Sequence, residues 1–234
     1  MKMKDKKAEQ KAAKQKHLEQ LKAKRRTEPS FERPEPLLVE KPTILIVCEG
    51  ENTEPSYFKQ FRLTSATIKS IGEGYNTISL VNRARELSEN NKYDQVWCVF
   101  DKDDFDNTNF NNAIVMAEAN QFGVAYSNQS FEYWIILHLD DHQGGGMHRK
   151  DYNRKINKLL KPYKLTYDGV DSKIITEEIF ELLDGIDEKT GRERKQLAID
   201  RAERNYQHFD HSSPATEESS TTVFRLVAEL LKYA

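Results

Sequence analysis

The segment Thr43-Ile-Leu-Ile-Val-Cys48 is short, apolar on both faces and rich in branched side chains, and it runs directly into Glu49-Gly50. A strand with two apolar faces must be covered on both, the situation of a central strand in a parallel sheet. Residues Thr53 to Leu63 predict a helix: Thr53 can cap it, Glu54 and Pro55 suit a first turn, and Tyr57, Phe58 and Phe61 share one face. The strand-then-helix order recurs. A strand is expected near Thr67 to Ile71, a helix from Thr77 to Asn90, and the strand Gln95-Val-Trp-Cys-Val-Phe100. A helix from Asn109 to Phe122 and a short strand from Gly123 to Tyr126 complete the series. The expected fold is α/β, with a central, mainly parallel sheet of about four strands. Beyond Ser127 the spacing turns helical, through Ser130 to Leu139, Tyr152 to Leu160, Thr176 to Leu183, Arg192 to His208 and Thr222 to Tyr233. That is a C-terminal helical extension.

The chain has 234 residues, enough for one core with appendages. Residues 1–26 hold 11 Lys or Arg against three acids, net +8, which leaves 25 basic and 35 acidic residues elsewhere, net −10. The arm is either a phosphate-binding anchor or a merely solvated segment. Prolines 29, 34, 36 and 42 mark a linker, so the division expected is 1–42 for arm and linker, 43–140 for the α/β core and 141–234 for the extension. No apolar run is long enough to span a bilayer, and the lysine run at residues 1–26 lacks the apolar stretch of a signal peptide, so neither secretion nor membrane insertion is expected. Two cysteines, Cys48 and Cys98, provide no disulfide framework and suit a reducing, cytoplasmic compartment; both read as small buried hydrophobes.

Ligands of open parallel sheets gather beyond the carboxyl ends of the strands. Two such ends here are acidic: Glu49 follows the first strand, and Asp101, Lys102, Asp103 and Asp104 follow another. Strand alternation would point Asp101 and Asp103 to one side, where two hard oxygen donors suit magnesium, with Glu49 across the crevice. The same residues can equally serve as helix caps and loop hydrogen-bond acceptors. Asn52 and Thr53, beside Glu49 in a Gly-containing turn, are candidates for phosphate, with Lys102 as a secondary one.

The segment Ile44-Leu-Ile-Val-Cys-Glu49-Gly50-Glu-Asn-Thr53-Glu54-Pro55-Ser-Tyr57-Phe58 resembles the signature of RloB-like proteins, which are associated with phage-defence and abortive-infection loci. Val99-Phe-Asp101-Lys-Asp103-Asp104 is similar to that family's second acidic motif. Ser127-Asn128-Gln-Ser-Phe131-Glu132-Tyr-Trp134-Ile-Ile-Leu137-His138 is similar to its third block. The resemblance runs from about residue 20 to 234, with the three blocks in order. It implies a Toprim core in which a glutamate and an Asp-x-Asp pair handle magnesium and phosphodiester chemistry, roles that fall on Glu49, Asp101 and Asp103. Much of the third block lies outside the common Toprim core, so its role rests on its own residues.

Helix Ser130 to Leu139 is apolar nearly all round except at Glu132 and His138, so it is expected to be buried. A buried carboxylate needs a partner, a proton or a cation, which makes Glu132 a catalytic candidate, with Asn128 near a strand end a candidate for phosphate or nucleic acid. The alternative is a first-turn acid held by the helix dipole, with His138 a hydrogen-bonded core residue rather than a supporting one. His138, His142 and His148 match no compact zinc spacing. Arg194, Arg201, Arg204 and His208 share a helix face, expected to be solvated. The function expected is a nuclease using Mg2+, or Mn2+ in its place, on DNA or RNA. A partner defence protein such as an ATPase would assist it, and no membrane is involved. The alternative is a non-catalytic Toprim-like sensor or assembly subunit that binds phosphate, nucleotide or a partner.

Overall fold

A computed structural model describes residues 12–19, 22, 41–70, 77–104 and 106–234. The expected arm and linker lie outside the described residues except for 12–19, 22, 41 and 42, and so does Ile71 at the expected end of the second strand. Two compact units are present, Met1–Glu40 and Lys41–Ala234. In the first, residues 12–19 form an exposed helix, α1.

The second unit is α/β, as its periodicities predict. Its strands are β1 (Ile44–Cys48), β2 (Ala66–Ser70), β3 (Gln95–Asp101) and β4 (Gly123–Ser127), all parallel in the order β2-β1-β3-β4. Between them run α2 (Thr53–Lys59), α3 (Thr77–Asn90) and α4 (Asn107–Ala119). Helices α5 (Glu132–Leu139), α6 (Tyr152–Leu160), α7 (Glu177–Asp184), α8 (Arg194–Tyr206) and α9 (Val223–Leu230) follow. Helix α2 is shorter than expected: the chain turns at Arg62, whose φ of 52° is left-handed and cannot continue a helix.

Strand alternation divides the core into two layers. Leu45, Val47, Val96, Cys98, Phe100, Val124 and Tyr126 pack with α3 and α4 on one face. Ile44, Ile46, Cys48, Val99 and Ala125 face α2 and the C-terminal helices on the other. Helix α5 is the spine of that second layer, with Tyr133 through His138 each no more than 1% exposed. Its all-round apolar surface leaves no solvated face, and helices α6, α7 and α8 complete its cover. Segment Ser219–Thr222 is also buried and stitches to β4, with Thr222 N–H donating to the Tyr126 carbonyl at 2.8 Å.

Candidate functional site

From β1 the chain leaves to one side for β2 and then crosses back to β3, so the strand order reverses between β1 and β3. A crevice opens at such a switch point, beyond the strands' carboxyl ends. Glu49 and Asp101 stand on its two sides. The Glu49 N–H extends the ladder onto the Val99 carbonyl at 2.9 Å, and its Oε2 accepts the Asp101 N–H at 3.2 Å. The first carboxylate therefore touches the backbone of the second motif. Asp101 lies on the Val99 face of β3, over the start of α5, and its Oδ2 accepts the Phe131 N–H at 3.1 Å. An N–H at a helix start favours a carboxylate.

Asp103 reaches the site by a route other than strand alternation. β3 ends at Asp101, and Asp103 sits in a turn with φ of 43°, its N–H donating to the Gln129 carbonyl at 3.0 Å. Its carboxylate is paired with the Arg149 guanidinium. Glu132 is held by two hydroxyl donors, Ser130 Oγ at 2.6 Å and Tyr167 OH at 2.8 Å, and the Tyr167 hydroxyl also meets Thr53 Oγ1 at 3.2 Å. Glu54 is the fifth carboxylate. It does occupy the first turn of α2, but that turn is buried and Glu54 is 5% exposed. Gly50 makes room for it, since a Cβ there would fall inside contact distance of Glu54 Oε2.

Burial and crowding act on the charge of four of these acids, Glu49, Glu54, Asp101 and Asp103. Burial, and behind it the nearby acids, pushes Glu49 and Glu54 each up to about 7 and raises Asp101 well above the usual carboxylate range. Burial also raises Asp103, against the opposing pull of Arg149. Asp101 Oδ1 is sealed from solvent with no hydrogen-bond partner among the described residues. Among those residues no three His, Cys, Asp or Glu side chains are grouped as a ready metal centre. The donor chemistry nonetheless fits a hard divalent cation: oxygen ligands only, excess negative charge, and one buried oxygen with an open bonding position.

A family model described as RloB-like protein matches residues 44–230, from the first residue of β1 to the last of α9. The chain belongs to the RloB-like family. Neither a curated protein nor a solved structure matches it. The RloB-like match covers all five carboxylates and the helices that hold them.

The remaining candidates fall in varied places. Asn52 is exposed at the rim, whereas Thr53 is buried against Tyr167. Lys102 is 7% exposed, and its ammonium lies 3.4 Å from the Asp103 carbonyl. The Asn128 amide donates to the Pro214 carbonyl at 2.7 Å, bracing the C-terminal segment. His138 is enclosed, its Nδ1 2.9 Å from the Trp134 carbonyl and its Nε2 3.4 Å from the Tyr57 hydroxyl; burial lowers it to about 3 and keeps it neutral. His142 meets Tyr133 and His148 lies near Asp104, so the three histidines have separate partners. Cys48 and Cys98 are buried free thiols, raised by burial.

Arg194 and Arg201 correct the expectation of a solvated face on α8, whereas the Arg204 side chain is 38% exposed and His208 is exposed. Arg194 is 4% exposed and donates to the Leu182 carbonyl and the Tyr163 hydroxyl, while Arg201 donates to the Leu137 carbonyl. These arginines clamp helix ends, where free carbonyls need donors. Sequence reasoning missed Glu54, Arg149 and Tyr167 as members of the site. Only Glu54 carried a usable signal, its place inside the Glu49-to-Phe58 motif.

Proposed function

We propose that this chain is a magnesium-dependent nuclease with a Toprim-like core, hydrolysing phosphodiester bonds of DNA or RNA in the cytoplasm as part of anti-phage defence. The observation that supports this reading is the contact of Glu49 Oε2 with the Asp101 N–H at 3.2 Å, with Glu54, Asp103 and Glu132 nearby and an Asp101 oxygen that is sealed and unpartnered among the described residues. Glu49, Asp101 and Asp103 would hold Mg2+, or Mn2+ in its place. A bound divalent ion supplies charge neutralisation at the phosphodiester and a more acidic water. Glu49, pushed up to about 7, exchanges a proton near neutral pH, as a general acid or base must. Glu132, fixed by Ser130 and Tyr167, offers a pre-positioned acceptor in the same cleft. Of Asn52, Thr53, Lys102 and Asn128, exposed Asn52 is the phosphate-contacting residue and the three buried ones brace the site. The body's negative charge repels a polyanion, which supports a role for a partner defence protein, such as an ATPase, in substrate capture.

One observation favours a second reading, a non-catalytic sensor or assembly subunit: Arg149 already neutralises Asp103 from within the chain. Incubating purified protein with single- and double-stranded DNA, ribosomal RNA and tRNA, in Mg2+ or Mn2+, separates the two. Cleavage that falls at least about 100-fold in Asp101→Ala and Glu49→Ala supports the nuclease. Undiminished cleavage in both variants removes this centre from the reaction, and no cleavage of any substrate by the wild type favours the sensor.

A further inference from the structure

Beside the carboxylates lies a cleft of about 340 Å³ whose lining includes Ser130, Glu132, Arg149, Lys150, Asn153 and Lys173. Its cations come from two separate segments. Arg149 and Lys150 lie on the short turn before α6, and Lys173 closes the loop after Tyr167. That loop is densely hydrogen-bonded. Asn157 grips both the Tyr167 carbonyl and the Tyr167 N–H at 2.8 Å, and the Asp168 carboxylate accepts the N–H groups of Val170, Asp171 and Ser172. Gly169 fits only because it lacks a Cβ, which would crowd Tyr167 and Asn153. Lys173 itself sits at φ of 49° and donates its N–H to the Asp168 carbonyl at 2.8 Å.

Arg149 is engaged with Asp103, whereas the Lys150 and Lys173 ammonium groups pair with no carboxylate among the described residues. Unpaired cations on a pre-formed wall, facing a crevice whose other wall is acidic, complement a ligand with a charged backbone crossing between them. We propose that Arg149, Lys150 and Lys173 form the phosphate-binding wall of the site and receive the backbone of a single-stranded nucleic acid beside the carboxylates. Its substrate class rests on the nuclease reading above and narrows it. The cleft volume lies at the small end of the range for ligand sites, about 300 to 1,000 Å³, room for about one nucleotide unit of a strand. Arg149 lines the cleft and pairs with Asp103, so it joins this wall to the neighbouring carboxylates.

The test measures binding apart from cleavage. Fluorescein-labelled single-stranded DNA and RNA oligonucleotides are titrated with full-length protein in Ca2+ at several salt concentrations, by fluorescence anisotropy, beside a duplex of the same sequence. Lys150→Ala/Lys173→Ala, which removes groups with no partner to strand, is expected to weaken single-strand binding about tenfold and to reduce the slope of log K against log salt by about 1.4. Circular dichroism and melting checks that the variant is folded. Unchanged affinity and slope, equal or tighter binding of the duplex, or no binding by the wild type overturns the proposal. The two readings fail separately. Lysine-dependent binding without cleavage keeps this wall and sinks the nuclease, whereas metal-dependent cleavage with lysine-independent binding does the reverse.

Discussion

The two layers flanking the sheet are built from the same strands, yet they differ in kind. Toward α3 and α4 the packed side chains are apolar, with the Phe100, Phe110 and Tyr126 rings in edge contact. Toward α2 and α5 the apolar packing gives way at the strand tips to Glu54, Asp101 and Glu132, and a neutral His138 lies deeper within. A layer that only packs is indifferent to charge. A layer that buries several acids is stabilised by whatever neutralises them, whether proton, Arg149 or cation. The first layer is scaffold, and the second carries the acids of the proposed site.

The largest effect expected is on the scaffold layer. Phe110→Ala should lose about 3 to 5 kcal/mol in denaturant unfolding, equally with EDTA or Mg2+. A loss that Mg2+ relieves would erase the distinction between the layers.

The acidic layer should instead respond to pH. Glu49 and Glu54 titrate near 7 in the folded chain against an ordinary 4.5, so the folded state holds protons that the unfolded state has released. Stability is therefore full below about pH 4.5 and is lost as pH rises through 7, by on the order of 3 kcal/mol per carboxylate at most. Melting curves in EDTA from pH 5 to 8 should fall, and Mg2+ should flatten them. A rising curve in EDTA contradicts the burial and mutual repulsion argued for these acids.

Asp101→Asn sharpens the same contrast. Removing this buried carboxylate charge should stabilise the chain at pH 8 in EDTA while abolishing the gain from Mg2+. Calorimetric unfolding with and without the ion checks both signs. The smallest effect is expected at Tyr167→Phe, which removes one hydroxyl donor from Glu132 and should cost about 1 kcal/mol. An unchanged melting temperature would show that this hydroxyl does not hold Glu132.

Much of this architecture was legible from local pattern. Ile44 to Cys48 announced a strand buried on both faces because burial acts on every residue of so short a run, and α3 spans the predicted Thr77 to Asn90. The acids at the strand tips were legible for the same reason: a parallel strand delivers its next residues to the crevice. Less legible was how Asp103 arrives, since a left-handed turn at a non-glycine residue leaves no periodic trace. Glu54 was hidden because a first-turn acid looks alike whether the helix start is solvated or buried.

By itself the sequence determined the strand and helix pattern, the apolar α5 and the family's three motif blocks, because each is written in contiguous residues whose spacing matches one backbone period. Tertiary structure alone decided that Arg149 meets Asp103, that Tyr167 meets Glu132, and that Lys150 and Lys173 line one cleft. Those partners lie on separate segments, and their meeting depends on how α6 and the loop after it pack against α5. Local periodicity carries no record of that long-range geometry.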